Sequence, residues 1–510
     1  MSRVNDVRIG LLGLGTVGAG VVKILQTRRA MLEERAGARL TLAAIADTDL
    51  TRPREGLDLK SLPLTGDAAQ VLGAPNVHIV IELVGGLEPA RTFILRALTA
   101  GKHVVTANKA LLAHHGAELY EEARRAGVSL GFEAAVAGGI PLIRAVKEGL
   151  VANRVLSLAG IVNGTCNYIL SKMTDEGLDF SLVLKEAQAH GYAEADPTLD
   201  IEGMDSAHKL QILVALAFRT FVELKNIHTE GITRVTAQDI EYARELGYRI
   251  KLLAIAKATA TDGAAGGGVE VRVHPTMIPA ASPLAAVSGV FNGIWLTGDA
   301  VGDLMFYGRG AGQMPTASAV LSDVVEVARR IAHGIPSLPL ELPSIGPAAM
   351  PLTPIEAIRS RYYLRVTAQD KPGVLSRVAG ILGEHDISIA NVIQKGRGVR
   401  EAIPVVMLTH EARERDMRAA LAKIDRLRDV AAATMMIRVE GGAERKRGGA
   451  GSRRPAISCP SPTRPRSARC PRAPRRWSPR RVWPRRPTRA WRSISSARGS
   501  IRPAPSRTAA

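Results

Sequence analysis

Gly13, Gly15 and Gly18 form a G-x-G-x-x-G loop directly after the apolar run of residues 7–12 and directly before a helical stretch opening at Thr16. In that strand-turn-helix setting the three glycines leave few folds open. The first permits a tight turn, the second lets a pyrophosphate approach the backbone, the third lets helix and strand pack, and the helix N-terminus faces the phosphates. The spacing alone also fits a merely glycine-rich turn; the context predicts a dinucleotide site. A second apolar run, LTLAAIAD, ends at Asp47. A carboxylate there suits the ribose hydroxyls of NAD and repels the 2′-phosphate of NADP. Arg52 and Arg54 follow and suit a phosphate, so both dinucleotides stay open, with the balance inclined to NAD.

Residues 7–150 alternate strand-like runs (VRIGLLGL, LTLAAIAD, VHIVIELV, KHVVTAN, VSLGFEAAV) with helical stretches at 17–32 and 88–100. That rhythm predicts an α/β, Rossmann-type parallel sheet as a nucleotide-binding domain over 1–150. Residues 151–315 mix long helices (182–190, 203–218, 236–258) with isolated strands (154–161, 269–274, 290–296), the pattern of an α+β substrate domain. A helix over 316–335 is expected to return to the first domain. The stretch 336–359 is proline-rich and reads as a linker, because each proline blocks a helix and removes a ladder donor. Strands at 362–368, 387–394, 402–409 and 430–439, with helices at 374–384 and 412–425, then predict a βαββαβ, ferredoxin-like unit over 360–440.

A net charge of +20 would ordinarily point to nucleic acid or a membrane surface. Its distribution removes that implication from the body of the chain. Residues 441–510 carry 19 arginines and one lysine against a single acid, which accounts for 19 of the 20 charges. This tail has no apolar periodicity and is expected to be disordered. It resembles GC-rich coding sequence read out of frame; the alternative, an RNA grip through arginines and three tryptophans, lacks an accompanying binding fold. Nucleic acid is therefore not an expected partner. No apolar run approaches the roughly 18 residues of a membrane span, and the start lacks a secretory layout, so no membrane partner and a cytoplasmic location are expected. Cys166 is the one cysteine outside the tail, which excludes a disulfide framework and suits a small buried group.

Three segments carry chemistry. VVTANK puts Lys109 just past a strand end, where open α/β sheets bind ligands. GIVNGTCNYIL sets Asn163, Gly164 and Thr165 after another strand, offering backbone amides and a hydroxyl to a small polar substrate, or forming a plain turn. AQAHGYAEADPTLDIEGMDSAHK brings Glu194, Asp196, Asp200, Glu202, Asp205 and Lys209 ahead of an uncharged run, 210–218. A helix apolar on all sides is buried, so charges at its mouth face a desolvated space or each other. Asp205 and Lys209, four apart, share a helix face. They form either a surface ion pair worth about 0.3–0.5 kcal/mol, or a site in which carboxylates fix a substrate ammonium while the lysine exchanges a proton during hydride transfer.

The spacing A-x3-G-Y-A-x2-D-P-x2-D-I-x-G-x-D-x3-K over 187–209 resembles the homoserine dehydrogenase signature at every defined position. The resemblance runs from about residue 7 to 441 and includes GLGTVG, TANK, EAAVAGGIP and YGRGAGQMPTASAV. It implies reversible reduction of L-aspartate 4-semialdehyde to L-homoserine with NADH or NADPH, in threonine, methionine and isoleucine biosynthesis. It further implies that Lys209 donates the proton, that Lys109 lies close to nicotinamide and substrate, and that Asp205 belongs to the catalytic group. Glu194, Asp200 and Asp205, with Gly164 and Thr165, would hold the substrate. Dinucleotide contacts are implied for Gly13, Gly15, Thr16, Val17, Gly18, Asp47, Thr106, Lys109 and Gly191, and for Gly310 and Gly312 in YGRGAG. A monovalent cation, sodium, is implied at the Glu133 carboxylate and the carbonyls of Val136, Gly138 and Ile140. Cys166 departs from the Thr of many members, and Asp47 from the Arg common in NADP-using ones.

The segment VTAQDKPGVLSRVAGILGEHDISIANV resembles the ACT domain, a ligand-sensing module. Asp370, Gly373 and Asn391 would frame an amino-acid pocket whose effector in this family is L-threonine; the alternative is a module that only dimerises. The expected assembly is a homodimer or homotetramer formed through the central domain. The rival class is a catalytically silent amino-acid-sensing protein, against which the intact Lys109, Asp205 and Lys209 argue.

Overall fold

In the computed structural model, which describes residues 5–259, 267–336, 350–395 and 402–441, six strands of the N-terminal region pair in parallel. Their order is Leu64–Thr65, Arg39–Ala46, Asp6–Leu12, Ile79–Glu82, His103–Thr106, Leu130–Gly131. The order reverses beside Asp6–Leu12, and the loops at the carboxyl ends of the neighbouring strands open a crevice there. Val7, Ile9, Leu11, Ile79, Ile81, Val104 and Val105 are fully buried, as expected of a parallel sheet covered on both faces. The helix Gln313–His333 packs against Thr16–Thr27, as the sequence predicts. Gly20 permits that approach: a Cβ there would lie 2.8 Å from the Gln313 carbonyl oxygen and 3.0 Å from the Ala317 Cβ.

Three local expectations are corrected. The helix expected over 17–32 breaks at Arg28 (φ −125°, ψ 22°) into Thr16–Thr27 and Arg29–Ala36. The VSLGFEAAV run pairs only at Leu130–Gly131 and then turns into a short 3-10 helix, Glu133–Ala135, where Asp323 accepts the Glu133 N–H at 2.9 Å and draws the chain off the sheet. The helix expected over 236–258 is a helix only from Ala237–Glu245. Gly247 (φ 80°) reverses the chain, and Tyr248–Thr259 is a strand hydrogen-bonded on both sides. A strand buried on both faces reads as an unbroken apolar run, and periodicity does not separate it from a buried helix.

That strand belongs to a second, mixed sheet. Nine strands run in the order Gly302–Arg309, Phe291–Gly298, Val155–Ile161, Tyr248–Thr259, Gly268–Pro279, Met435–Val439, Arg359–Gln369, Ala402–Thr409, Ile389–Gln394. The last four, with the helices Val374–Glu384 and Glu414–Ile424, make the βαββαβ unit and the ACT domain fold. Its sheet continues the central one through a short parallel ladder, Thr276 to Arg438 and Met277 to Val439. Residues 350–353, inside the stretch read as linker, lie against the start of Gly268–Pro279: the Val269 N–H donates to the Pro351 carbonyl and the Thr353 N–H to the Val269 carbonyl, both at 2.9 Å. Residues 337–349 of the expected linker, and all but residue 441 of the tail expected to be disordered over 441–510, lie outside the described residues.

Lys251, in Tyr248–Thr259, is 2% exposed and donates to the Val287 carbonyl at 2.6 Å and the Asn167 Oδ1 at 3.0 Å. Burial pulls its ammonium down from 10.5 to about 8. Between those two values the unfolded chain holds more protons than the folded one, so this group makes stability rise with pH. Compared with Lys251→Met, the unfolding free energy of the native sequence is expected to climb from about pH 8 to 10.5 in denaturant titrations. Parallel pH profiles for the two proteins would contradict this.

Candidate active site

The strand Val155–Ile161 delivers the chain to Asn163, which caps the helix Gly164–Glu176: its Oδ1 accepts the Cys166 N–H at 2.8 Å. Capping fixes the amide, and its Nδ2 then reaches outward to Asp200 Oδ1 at 2.7 Å and Asp205 Oδ2 at 2.8 Å. Gly164 is needed for close approach, since a Cβ there would sit 3.0 Å from the Val290 carbonyl oxygen. The Thr165 hydroxyl lies within hydrogen-bonding distance of the Tyr192 carbonyl (2.8 Å) and Asp200 Oδ2 (3.0 Å). The turn that carries Gly191 and Tyr192 is thereby tied to the carboxylate cluster.

Asp205 lies in the first turn of Met204–Ala217, where the helix dipole favours a carboxylate. From Asp205 to Ala215 every residue of this helix is buried, as its all-round apolar pattern requires. Lys209, one turn on, donates to Asp205 Oδ2 at 2.7 Å and to the Val162 carbonyl at 2.6 Å. Lys109 approaches the other oxygen, Oδ1, at 3.2 Å. It comes from the first sheet, at the start of Lys109–Ala126, where Asn108 caps the helix by accepting the Leu111 N–H at 3.1 Å. One carboxylate thus sits between two ammonium groups. Burial pushes the Asp205 carboxyl up, but Lys209 and Lys109, with the hydrogen bonds from Lys209 and Asn163, outweigh it and hold the group well below the carboxylate range. The Lys209 side chain is 11% exposed and that of Lys109 41%. The surface ion pair that the spacing allowed is therefore replaced by a buried one, and the second lysine, Lys109, faces open space.

The glycine loop fits a dinucleotide. Gly13 adopts φ 93°, and a Cβ there would meet the Leu83 carbonyl oxygen at 2.6 Å; one on Gly18 would meet the Gly13 carbonyl oxygen at 2.2 Å. Gly15 has nothing within 4 Å of its Cβ position, which leaves its backbone face open beside Thr16 and Val17 at the helix start. Asp47 is engaged locally. It accepts the Leu14 N–H, accepts the Asp49 N–H at 2.8 Å, and pairs with Arg54 at 3.3 Å. A cavity of about 210 Å³ opens here, lined among others by Gly15, Thr16, Asp47, Arg52 and Arg54. Farther along, a Cβ on Gly310 would overlap the buried amide of Asn292 at 2.0 Å, and Gly312 (φ 121°) precedes the return helix.

Other expected residues are placed as follows. Glu194 has an exposed side chain, and its carbonyl accepts from Gln188 Nε2 at 3.1 Å. Glu133 is buried and accepts the N–H groups of Ile143 (2.9 Å) and Arg144 (2.8 Å). Burial raises its pKa, and it makes no ion pair within 4 Å among the described residues. Ala137 (φ 56°) and Gly138 (φ 49°) turn the backbone between Val136 and Ile140. Among the described residues no three or more His, Cys, Asp or Glu side chains form a metal cluster. Gly373 (φ 86°) begins Val374–Glu384, Asp370 Oδ1 accepts from Gln394 Nε2 at 3.3 Å, and Asn391 is exposed on the edge strand Ile389–Gln394.

Sequence reasoning overlooked Glu82. Fully buried at the end of Ile79–Glu82, it accepts the N–H groups of Val84 (2.8 Å) and Gly85 (3.1 Å) and the Thr106 hydroxyl (2.7 Å). Thr106 Oγ1 accepts the Asn108 N–H at 3.0 Å, so this carboxylate fixes the loop that presents Lys109. The available signal was an acid inside a strand otherwise apolar enough to be buried.

The arrangement matches known proteins over about 86% of the chain. The homoserine dehydrogenase family model matches residues 141–325, the homoserine dehydrogenase NAD-binding domain residues 13–133, and the ACT domain residues 362–429. A homoserine dehydrogenase of Pseudomonas aeruginosa is 45% identical over 441 residues, 86% of this chain and 99% of that one. The Neisseria gonorrhoeae homoserine dehydrogenase is 44% identical over 440 residues, 86% and 99% of the two chains. Among solved structures, a homoserine dehydrogenase from Thiobacillus denitrificans superposes with a TM-score of 0.79 at 46% identity, covering 86% of this chain and 99% of that one. A hyperthermophilic archaeal homoserine dehydrogenase in complex with NADPH gives 0.51 at 26% identity over 63% of this chain and 97% of its own. No helix among the described residues is long and apolar enough to cross a membrane. With a nicotinamide-type glycine loop, a buried carboxylate between two lysines and this agreement over both catalytic regions, the chain belongs to the homoserine dehydrogenase family of oxidoreductases.

Proposed function

We propose that the site interconverts L-aspartate 4-semialdehyde and L-homoserine with either NADH or NADPH. The observation that carries this reading is the Asp205 carboxylate held between Lys209 and Lys109. Reducing an aldehyde builds negative charge on its oxygen, and an adjacent ammonium both stabilises that charge and supplies the proton. A bound nicotinamide supplies the hydride. Lys209 and Lys109 hold Asp205 ionised; in this reading Lys209, oriented by Asp205 and the Val162 carbonyl, delivers the proton and Lys109 stabilises the oxygen. Asp200 and the exposed Glu194 are the carboxylates available to a substrate ammonium, with Gly164 and Thr165 shaping the same turn.

The Asp47–Arg54 pair lowers the charge that would repel a 2′-phosphate, and Arg52 lines the same cavity, which favours acceptance of both dinucleotides over NAD alone. Glu133, buried beside a left-handed turn with no ion-pair partner among the described residues, fits a sodium ion held with the Val136, Gly138 and Ile140 carbonyls. The ACT domain is assigned L-threonine at Asp370, Gly373 and Asn391, and the enzyme a homo-oligomeric, cytoplasmic role in threonine, methionine and isoleucine synthesis. Homoserine-dependent reduction of NAD and of NADP, with and without sodium and threonine, tests each part. Turnover with both cofactors, faster with sodium and slower with threonine, is expected; no turnover with either cofactor would defeat the reading.

A further inference from the structure

Where the C-terminal unit joins the central sheet, an ionic cluster forms in which Arg438 and Glu414 are buried and the Glu230 side chain is 35% exposed. Arg438 is almost wholly buried. It donates from Nε to Glu414 Oε2 at 3.0 Å, from Nη1 to Glu230 Oε2 at 2.9 Å and from Nη2 to Glu230 Oε1 at 3.0 Å. His228 Nε2 lies 2.7 Å from Glu230 Oε1, and the Tyr362 hydroxyl donates to Glu414 Oε2 at 2.9 Å. Burial opposes the charge on Glu230, but the bonds from His228 and Arg438 overcome it and keep the carboxyl ionised. A paired, bidentate guanidinium of this kind is geometrically strict, and losing one partner leaves the other charges uncompensated.

Glu230 opens the segment that backs the substrate turn. The Ile232 N–H donates to the Ile201 carbonyl at 2.8 Å, and the Thr233 hydroxyl to Glu202 Oε1 at 3.1 Å. Gly231 leaves no room for a side chain: a Cβ would lie 2.4 Å from the Ile201 carbonyl oxygen. A Cβ on Gly203 would likewise meet Thr229 Cγ2 at 3.0 Å. Residues 201–204 connect Asp200 to Asp205, the two carboxylates that Asn163 cross-links. Between Glu230 and those carboxylates the backbone at Gly231 therefore packs directly on the backbone of residues 201 and 202, while the side chains of Glu202 and Thr233 are exposed.

We propose that Glu230 is a positioning residue, through which Arg438 of the ACT domain fixes the 200–205 turn and with it the affinity for the amino-acid substrate. The inference rests on the assignment of that turn to the substrate. The glycine loop, residues 13–18, and Asp47, built on the first sheet, stay outside this linkage.

Glu230→Gln keeps the shape and removes the charge. In the full-length enzyme it is expected to raise the KM for homoserine about three- to thirtyfold, with the dinucleotide KM little changed. Glu414→Gln disturbs the same cluster from the side away from the turn; it is expected to lower the melting temperature and leave the homoserine KM in place. Thr233→Val, which spares the cluster and removes the bond to Glu202, is expected to raise the homoserine KM more modestly, and it serves if Glu230→Gln does not fold. An unchanged homoserine KM in Glu230→Gln, or in Thr233→Val where the former is unfolded, overturns the proposal. So does an equal rise in Glu414→Gln, which would mark a merely structural cluster. Absence of homoserine turnover in the unaltered enzyme would instead refute the functional reading beneath it.

Discussion

Lys209→Ala is expected to lower kcat by about two to four orders of magnitude, the usual contribution of a positioned general acid, while the dinucleotide KM stays close to its original value. Lys209 holds its ammonium between the Asp205 carboxylate and the Val162 carbonyl, so the group is oriented before substrate arrives. Such orientation costs nothing at the moment of reaction. Losing it leaves Asp205 with Lys109 and Asn163 as partners, so the carboxylate is not orphaned and the fold should survive. Lys209→Arg separates charge from proton transfer. A guanidinium keeps the charge but does not deprotonate near neutral pH, so this variant should bind substrate yet remain far slower than the native enzyme. Steady-state rates in both directions, with melting curves as the folding control, decide the matter; a kcat within a few-fold of native in Lys209→Ala would remove the lysine from the mechanism.

The features readable in advance were those in which sequence spacing is also spatial spacing. Gly13, Gly15 and Gly18 act within one turn, and Asp205 and Lys209 meet because a helix brings residues four apart to one face. The return helix was readable for a related reason, since a strong apolar stripe must find a core. What escaped depends on partners distant in the chain. Lys109 and Asp205 are 96 positions apart yet share an ion pair, and nothing local in either segment says which lysine meets which carboxylate. Asn163 could be read as a cap, but its second task, cross-linking Asp200 and Asp205, exists only after folding. Residues 248–259 were misassigned because a strand buried on both faces loses the alternation that identifies strands. The prolines after 336 read as a linker between units, yet the strands on either side complete one sheet through Thr276 and Arg438.

Asp205→Asn should be the second most damaging change, and its pH behaviour separates the electrostatic role from a structural one. The substitution keeps the shape and takes away the charge that two ammonium groups share. Loss of one preorganised electrostatic group typically costs about 10²–10³ in kcat, and a loss in this range is expected in both directions. Stability should fall as well, because removing one member of a buried pair leaves its partner uncompensated. The sign with pH follows from the folded carboxyl lying below its unfolded value of 3.8. Above about pH 5 the carboxylate is ionised in both states, so its stabilising contribution is fully present and independent of pH. Below that it decays as the pH falls towards the folded value. The stability gap between the native enzyme and Asp205→Asn should accordingly be flat from about pH 8 to 5 and close only in more acid solution. A gap that varied across the neutral range would show that a different group carries the linkage, and would separate the activity of this site from the charge on Asp205.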